Sequence, residues 1–357
     1  MKILIRGANW IGDSIMSIPA LRKLRRIFPD SNITLHTRSL TEGLFRNASF
    51  LDDIISFEKR SWPVVNIYDN ATFLRDENFD LAILFPNSFE SALTTFLSRI
   101  PNRIGYNKDA RGLLLTYPVA VPEWKNRRHE VFYYLNLVDE VERKLLGRST
   151  VQSSLPDISL EISESRKLGA LEMLIKAGID RDRKTVLLGV GSTNSNAKRW
   201  RADRFAILAD KLQKETGANV ILVGSQGDHQ AAVDVVKKAR TEPLNMVGAT
   251  TVAEAAAMIS VADLLISNDM GLAHIAPAVG TRSITLFGPT NVVTTSPFSP
   301  IATVLRHDVP CAPCMLRECP IDHRCMTGIS ADTVFDTAIA VLSEPEKEIY
   351  ETTGNFS

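Results

Sequence analysis

Net charge is missing from this chain: 41 Lys and Arg stand against 41 Asp and Glu in 357 residues. That removes the global basic field of a nucleic-acid binder, so any anionic partner must meet a local patch. Long apolar runs are missing too, and none approaches the roughly 20 residues of a bilayer span. The opening, Lys2 and then Ile3-Leu4-Ile5 before Arg6, lacks the form of a signal peptide. A cytoplasmic protein is expected. Cysteine is scarce, with four residues, Cys311, Cys314, Cys319 and Cys325, gathered in one short segment. The rest of the chain therefore has no covalent staples and must rely on apolar cores, for which its length suits two domains.

Apolar runs alternate with segments of helical period. Strands are predicted over 2–6, 33–37, 53–57, 81–85 and 103–106, and again over 185–190, 219–223, 264–267 and 283–287. Phe205, Leu208, Ala209 and Leu212 fall on one helical face, and Val252, Ala255, Ala256 and Ile259 repeat that spacing. Strand, helix, strand repeated in this way predicts parallel sheets covered on both faces. Two Rossmann-like halves joined near residues 155–184 are the natural α/β parse, although no sequence repeat links them.

The first strand runs into Arg6-Gly7-Ala8-Asn9-Trp10-Ile11-Gly12-Asp13-Ser14. Its glycine spacing is that of a phosphate loop, but Asp13 stands where that loop carries Lys, and a carboxylate repels phosphate. At a helix start beyond a strand's carboxyl end, Asp13 is placed to accept a proton from a substrate hydroxyl or simply to complement the helix dipole. In the second half, Ser267-Asn268-Asp269-Met270-Gly271-Leu272-Ala273-His274 reads as a strand exit with Asp269 as N-cap. The backbone amides that follow suit a diphosphate, and an ordinary capped helix with an interior His274 is the plainer alternative. Gly189-Val190-Gly191-Ser192 followed by Ala197-Lys198-Arg199-Trp200 adds a second loop that ends in cations.

These stretches, with Pro19-Ala20-Leu21 and Phe287-Gly288-Pro289-Thr290, resemble the bacterial ADP-heptose:lipopolysaccharide heptosyltransferases of glycosyltransferase family 9. The Cys-rich segment favours the heptosyltransferase II branch. The resemblance implies a GT-B architecture, two Rossmann-like domains facing across a cleft. Residues 1–160 would bind the acceptor and carry the catalytic base, 161–345 would bind the nucleotide sugar, and 346–357 would form a tail. It implies inverting transfer of heptose from ADP-heptose to a heptosylated Kdo–lipid A type acceptor, with no cofactor and no metal. By position, Asp13 matches the acid/base residue. Lys198, Asp269, Met270, Gly271 and His274 match the donor site, and Asp228 falls near the ribose contact. Met270 stands where the family carries Thr or Ser, so the backbone would supply that phosphate contact.

An anionic lipopolysaccharide acceptor calls for the local patch. Residues 99–128 hold seven basic side chains against Asp109 and Glu123, and Arg103, Arg111 and Tyr106 are its candidate acceptor contacts, with peripheral contact at the inner membrane surface and no nucleic acid. The cysteine segment suits a reduced loop, a structural metal or a disulfide. Asp180-Arg181-Asp182 is read as surface charge. A transferase for another nucleotide sugar and a non-catalytic carbohydrate-binding protein are the rival readings. An NAD-dependent oxidoreductase is disfavoured because G-x-G-x-x-G is missing after the first strand.

Overall fold

In the computed structural model, residues 1–58, 62–150, 155–193 and 195–345 are described; the expected tail, 346–357, lies outside them. The chain divides into two compact units. One comprises Met1–Ser163 with Thr251–Ala253 and Asn291–Phe298; the other comprises Glu164–Thr250, Glu254–Thr290 and the chain from Ser299 onward.

The first unit is built on β1 (Lys2–Arg6), β2 (Asn32–Arg38), β3 (Asp53–Phe57), β4 (Leu81–Leu84), β5 (Asn102–Tyr106) and β6 (Tyr117–Val119). They form one parallel sheet in the order β3-β2-β1-β4-β5-β6. Ile3, Leu4 and Ile5 in β1 and all of β4 are buried, the continuous apolar pattern of strands covered on both faces. Helix Ile18–Ile27 buries Leu21 and Leu24 and packs on helix Glu130–Leu146, which buries Leu137, Val138 and Val141.

The second unit is built on β7 (Thr185–Gly189), β8 (Asn219–Val223), β9 (Leu244–Asn245), β10 (Leu264–Asn268), β11 (Arg282–Phe287) and β12 (Ala302–Arg306), ordered β12-β11-β10-β7-β8-β9 and again parallel. One face is filled by Phe205, Leu208 and Leu212 of helix Ala202–Thr216, as the sequence spacing predicts, and by Val334 and Phe335 of helix Ala331–Ser343. Counted from its own first strand, the second sheet repeats the order of the first. Each unit thus has the strand order of a Rossmann half, with a switch point where connections leave in opposite directions: β1/β4 in one and β7/β10 in the other. Ligands of such sheets bind beyond the carboxyl ends of the strands at that point.

Three strands escaped the sequence prediction, β6, β9 and β12, and all three are sheet edges. An edge strand pairs on one side only and needs no continuous apolar run. Accordingly β6 tolerates Pro118 and no residue of β12 is fully buried.

Candidate active site

Asp13 is half-buried in the first turn of helix Ile11–Met16, directly after β1. The N-cap is Trp10. Tyr134, on helix Glu130–Leu146, donates its hydroxyl to Asp13 Oδ1 at 3.4 Å. Burial and the Asp13 carboxylate push the Tyr134 hydroxyl well above its ordinary range, which keeps it a neutral donor. At the same edge of the sheet the buried Arg6 guanidinium donates to Asn9 Oδ1 at 2.7 Å and lies 4.6 Å from the Phe57 ring centroid. Burial lowers Arg6 to about 10, so it stays charged at neutral pH. His36 is pushed down to about 3, by burial first and by Arg6 second, and stays neutral.

In the second unit, four strand-exit loops meet at the β7/β10 switch point. Lys198, on a single 3-10 turn Asn196–Lys198 after β7, places Nζ 2.8 Å from Asp269 Oδ2 after β10. Thr290, after β11, donates its hydroxyl to the same oxygen at 2.6 Å. Asp269 is therefore not the N-cap that its spacing suggests. Helix Gly271–Ala278 is entered through Met270 in extended conformation, and the Asp269 carboxylate turns instead to Lys198 and Thr290. Gly271 and Leu272 supply the first helical amides, and His274 is buried in the second turn.

Asn268 fixes the distance between the two loops. Its Nδ2 donates to Val190 O at 3.2 Å and Gly191 O at 2.9 Å, and its Oδ1 accepts from Trp200 N at 2.9 Å. Asp228 plays a comparable role on the other side: its oxygens accept from Ser192 N at 3.1 Å, Ser225 N at 3.0 Å and Ser225 Oγ at 2.6 Å. A Cβ on Gly191 would lie 2.0 Å from the Asp228 carboxylate carbon, so this position admits only glycine while Asp228 keeps its place. Through these bonds Asp228 ties the loop after β7 to the loop after β8.

Of the three acceptor candidates, Tyr106 and Arg111 are interior and Arg103 is half-buried. Tyr106 is 1% exposed and Arg111 0% exposed. Tyr106 donates its hydroxyl to Tyr133 O at 2.8 Å, and Arg111 donates to Tyr106 O at 2.9 Å and Ser91 Oγ at 3.1 Å. The Arg103 guanidinium donates to Leu114 O at 2.8 Å and lies over the Phe96 ring. All three are bonded to groups of their own unit. The basic side chains of that stretch that stay exposed are Arg99, Lys108, Arg127 and Arg128.

Asp180 pairs with Arg183 at 3.0 Å in the turn before β7, at the end of that strand remote from Lys198, in keeping with surface charge. The four cysteines are free thiols, Cys311 and Cys314 exposed and Cys325 buried. Among the described residues, no three His, Cys, Asp or Glu side chains gather as a metal site, and no helix is long and apolar enough to cross a membrane.

The family model of glycosyltransferase family 9 (heptosyltransferase) matches residues 70–324. This chain belongs to glycosyltransferase family 9. The resemblance carried by its motifs is thereby borne out, and so is the expectation of a glycosyltransferase. Lipooligosaccharide heptosyltransferase 2 of Campylobacter jejuni (serotype O:2) is 26% identical to it over 346 residues, 95% of this chain and 97% of the relative. Lipopolysaccharide heptosyltransferase 2 of Escherichia coli is 29% identical over 315 residues, 86% of this chain and 88% of its own. The solved E. coli ADP-heptose LPS heptosyltransferase II superposes with a TM-score of 0.80 at 26% identity, covering 96% of this chain and 98% of the other. For this family 9 member the sequence motifs contained Asn268 and Thr290 without marking either as functional. Their contacts, to the loop before Trp200 and to Asp269, are made by residues distant in the chain, and only the parallel strand order brings them within reach.

Proposed function

We propose that this chain is an inverting heptosyltransferase of the heptosyltransferase II type, moving heptose from ADP-heptose to the inner core of lipopolysaccharide. The observation that carries the reading is the Lys198–Asp269–Thr290 cluster at the β7/β10 switch point, where a Rossmann half binds its nucleotide. Support comes from relatives named heptosyltransferase 2 that match along most of their length.

In this reading an acceptor hydroxyl attacks the anomeric carbon of the donor, its proton passes to Asp13, and the bond to the ADP oxygen breaks with inversion. Tyr134 orients the Asp13 carboxylate. The leaving diphosphate gains negative charge, which Lys198 and the first amides of helix Gly271–Ala278 stabilise without a metal. Asp269, held by Thr290, aims Lys198 and faces the heptose, while Met270 and Gly271 contribute backbone and His274 supports the turn from below. The acceptor is anionic and lipid-linked, so the enzyme works at the inner face of the inner membrane, with exposed Lys108, Arg127 and Arg128 as the cations available to it.

The test is transfer from ADP-heptose to a defined heptosylated Kdo–lipid A acceptor, followed by mass spectrometry of the product and by release of ADP. Turnover with another nucleotide sugar and none with ADP-heptose would reassign the donor. Thermal stabilisation by NAD and not by ADP would remove the transferase reading.

A further inference from the structure

The Cys-rich segment has no part in the mechanism above, yet it is bonded to both walls of the Lys198–Asp269 pair. On one side it takes both backbone groups of Ala197, the residue before Lys198. Ala197 N donates to Arg317 O at 2.9 Å, and His323 Nε2 donates to Ala197 O at 2.6 Å, since a carbonyl can only accept. Ser195 Oγ also donates to Arg317 O at 3.3 Å, and Asn196 Nδ2 donates to Glu318 Oε1 at 2.7 Å. On the other side Met315 N donates to Pro289 O at 2.8 Å, one residue before the Thr290 that holds Asp269.

His323 stands out within this brace. It has φ 57° and ψ 30°, a left-handed conformation that an L side chain adopts at a cost, at the entry to helix Arg324–Thr327. That conformation coincides with the delivery of its ring to Ala197 O. The 3-10 turn bearing Lys198 is a single turn with no side-chain cap, so its own hydrogen bonds do little to fix it. Its position comes from the brace on one flank and from Asn268, through Trp200 N, on the other.

We propose that residues 315–323 of the Cys-rich segment are a positioning element for the donor diphosphate site, with His323 as a positioning residue that acts through Lys198. The proposal rests on the reading that Lys198 meets the leaving diphosphate. A lysine on a loosely held turn spreads its charge over many orientations, whereas one on a clamped turn presents it where the leaving oxygen develops charge.

The experiment compares His323→Asn and His323→Gln in the otherwise intact chain. Asn tolerates the left-handed backbone but is too short to reach Ala197 O, whereas Gln regains the reach. His323→Asn is expected to weaken ADP binding in calorimetry about tenfold and to lower kcat/KM for the donor by a similar factor. KM for the acceptor should be unchanged and the circular dichroism native, and His323→Gln should recover most of the loss. In a Lys198→Ala background, His323→Asn should have no further effect on ADP binding. The inference is overturned by a folded His323→Asn chain with wild-type ADP affinity, or by a loss that persists undiminished in the Lys198→Ala background. If Lys198→Ala itself binds ADP as the wild type does, the donor reading fails and the positioning inference fails with it. If Lys198→Ala weakens binding and His323→Asn does not, only the positioning inference fails.

Discussion

Lys198 Nζ sits 2.8 Å from Asp269 Oδ2, the lysine arriving from the exit of β7 and the aspartate from the exit of β10. Asp269 is 6% exposed, so its charge is largely removed from water and depends on its partners. Lys198→Ala is expected to weaken ADP binding about 10- to 100-fold, the range for a lost charge-assisted bond. It should also lower the melting temperature, because a buried carboxylate is left without its cation. The double variant Lys198→Ala with Asp269→Asn should recover stability without recovering ADP affinity. Recovery of both would show that the lysine serves only the fold.

Thr290→Val keeps the shape of the side chain and removes the hydroxyl that Asp269 Oδ2 accepts. Stability should drop by about 1–2 kcal/mol, with kcat for transfer reduced more than ADP affinity. Urea denaturation and steady-state kinetics on the same preparation measure both effects, and an unchanged kcat would confine Thr290 to a structural part.

Asp13→Asn should lower kcat by about 10² to 10⁴ while ADP affinity stays close to wild type, since it removes a base that serves only the acceptor. Tyr134→Phe, which deletes the donor at 3.4 Å from Asp13 Oδ1, should reduce kcat by a smaller factor, about three- to tenfold. Single-turnover rates with saturating donor separate these effects from binding, and a Tyr134→Phe enzyme faster than wild type would refute the orienting contact.

His36 gives a pH dependence of stability with a definite sign. Its folded value is about 3 against an ordinary 6.5. Between those values the unfolded chain binds a proton that the folded chain refuses, so this contribution to stability is complete above 6.5 and is lost as pH falls toward 3. The slope from this one group is at most about 1.4 kcal/mol per pH unit. His36→Asn, which cannot protonate, should flatten the acid limb of stability measured by urea titration at several pH values; an identical limb in both proteins would argue against a buried neutral imidazole.

Transfer should persist in EDTA, because Lys198 and backbone amides are proposed to stabilise the leaving diphosphate. Loss of activity on chelation with the circular dichroism intact, restored by Mg²⁺ or Mn²⁺, would replace that mechanism with a metal-assisted one. Unfolding on chelation would point instead to a cation held by the cysteine segment.

The interior strands were legible in the sequence because a strand covered on both faces must be apolar along its length, as Ile3-Leu4-Ile5 and Leu264-Leu265-Ile266 are. The helix of Phe205, Leu208, Ala209 and Leu212 was legible for the related reason that one buried face repeats with the helical period. Edge strands such as β12 carry no such constraint and left no pattern. Burial of polar side chains was not legible either. Arg111 and Tyr106 have the residue types of a ligand contact, and what makes them interior is a set of carbonyls from Pro86, Tyr106 and Tyr133 that no local pattern announces.

The sequence by itself determined that this chain folds as two parallel α/β halves and that Asp13, Lys198 and Asp269 each follow a strand, because these are matters of local periodicity and of what stands at a strand's end. Only the tertiary structure decided which partners each of them meets within its own unit. Whether Asp269 caps its own helix or pairs with Lys198, whether Asp228 is open or committed to Ser192 and Ser225, and which segment clamps Ala197 all depend on strand order. The placement of β10 beside β7 brings together loops far apart in the chain, and side-chain electrostatics act over a few ångströms of space, whatever the separation in sequence.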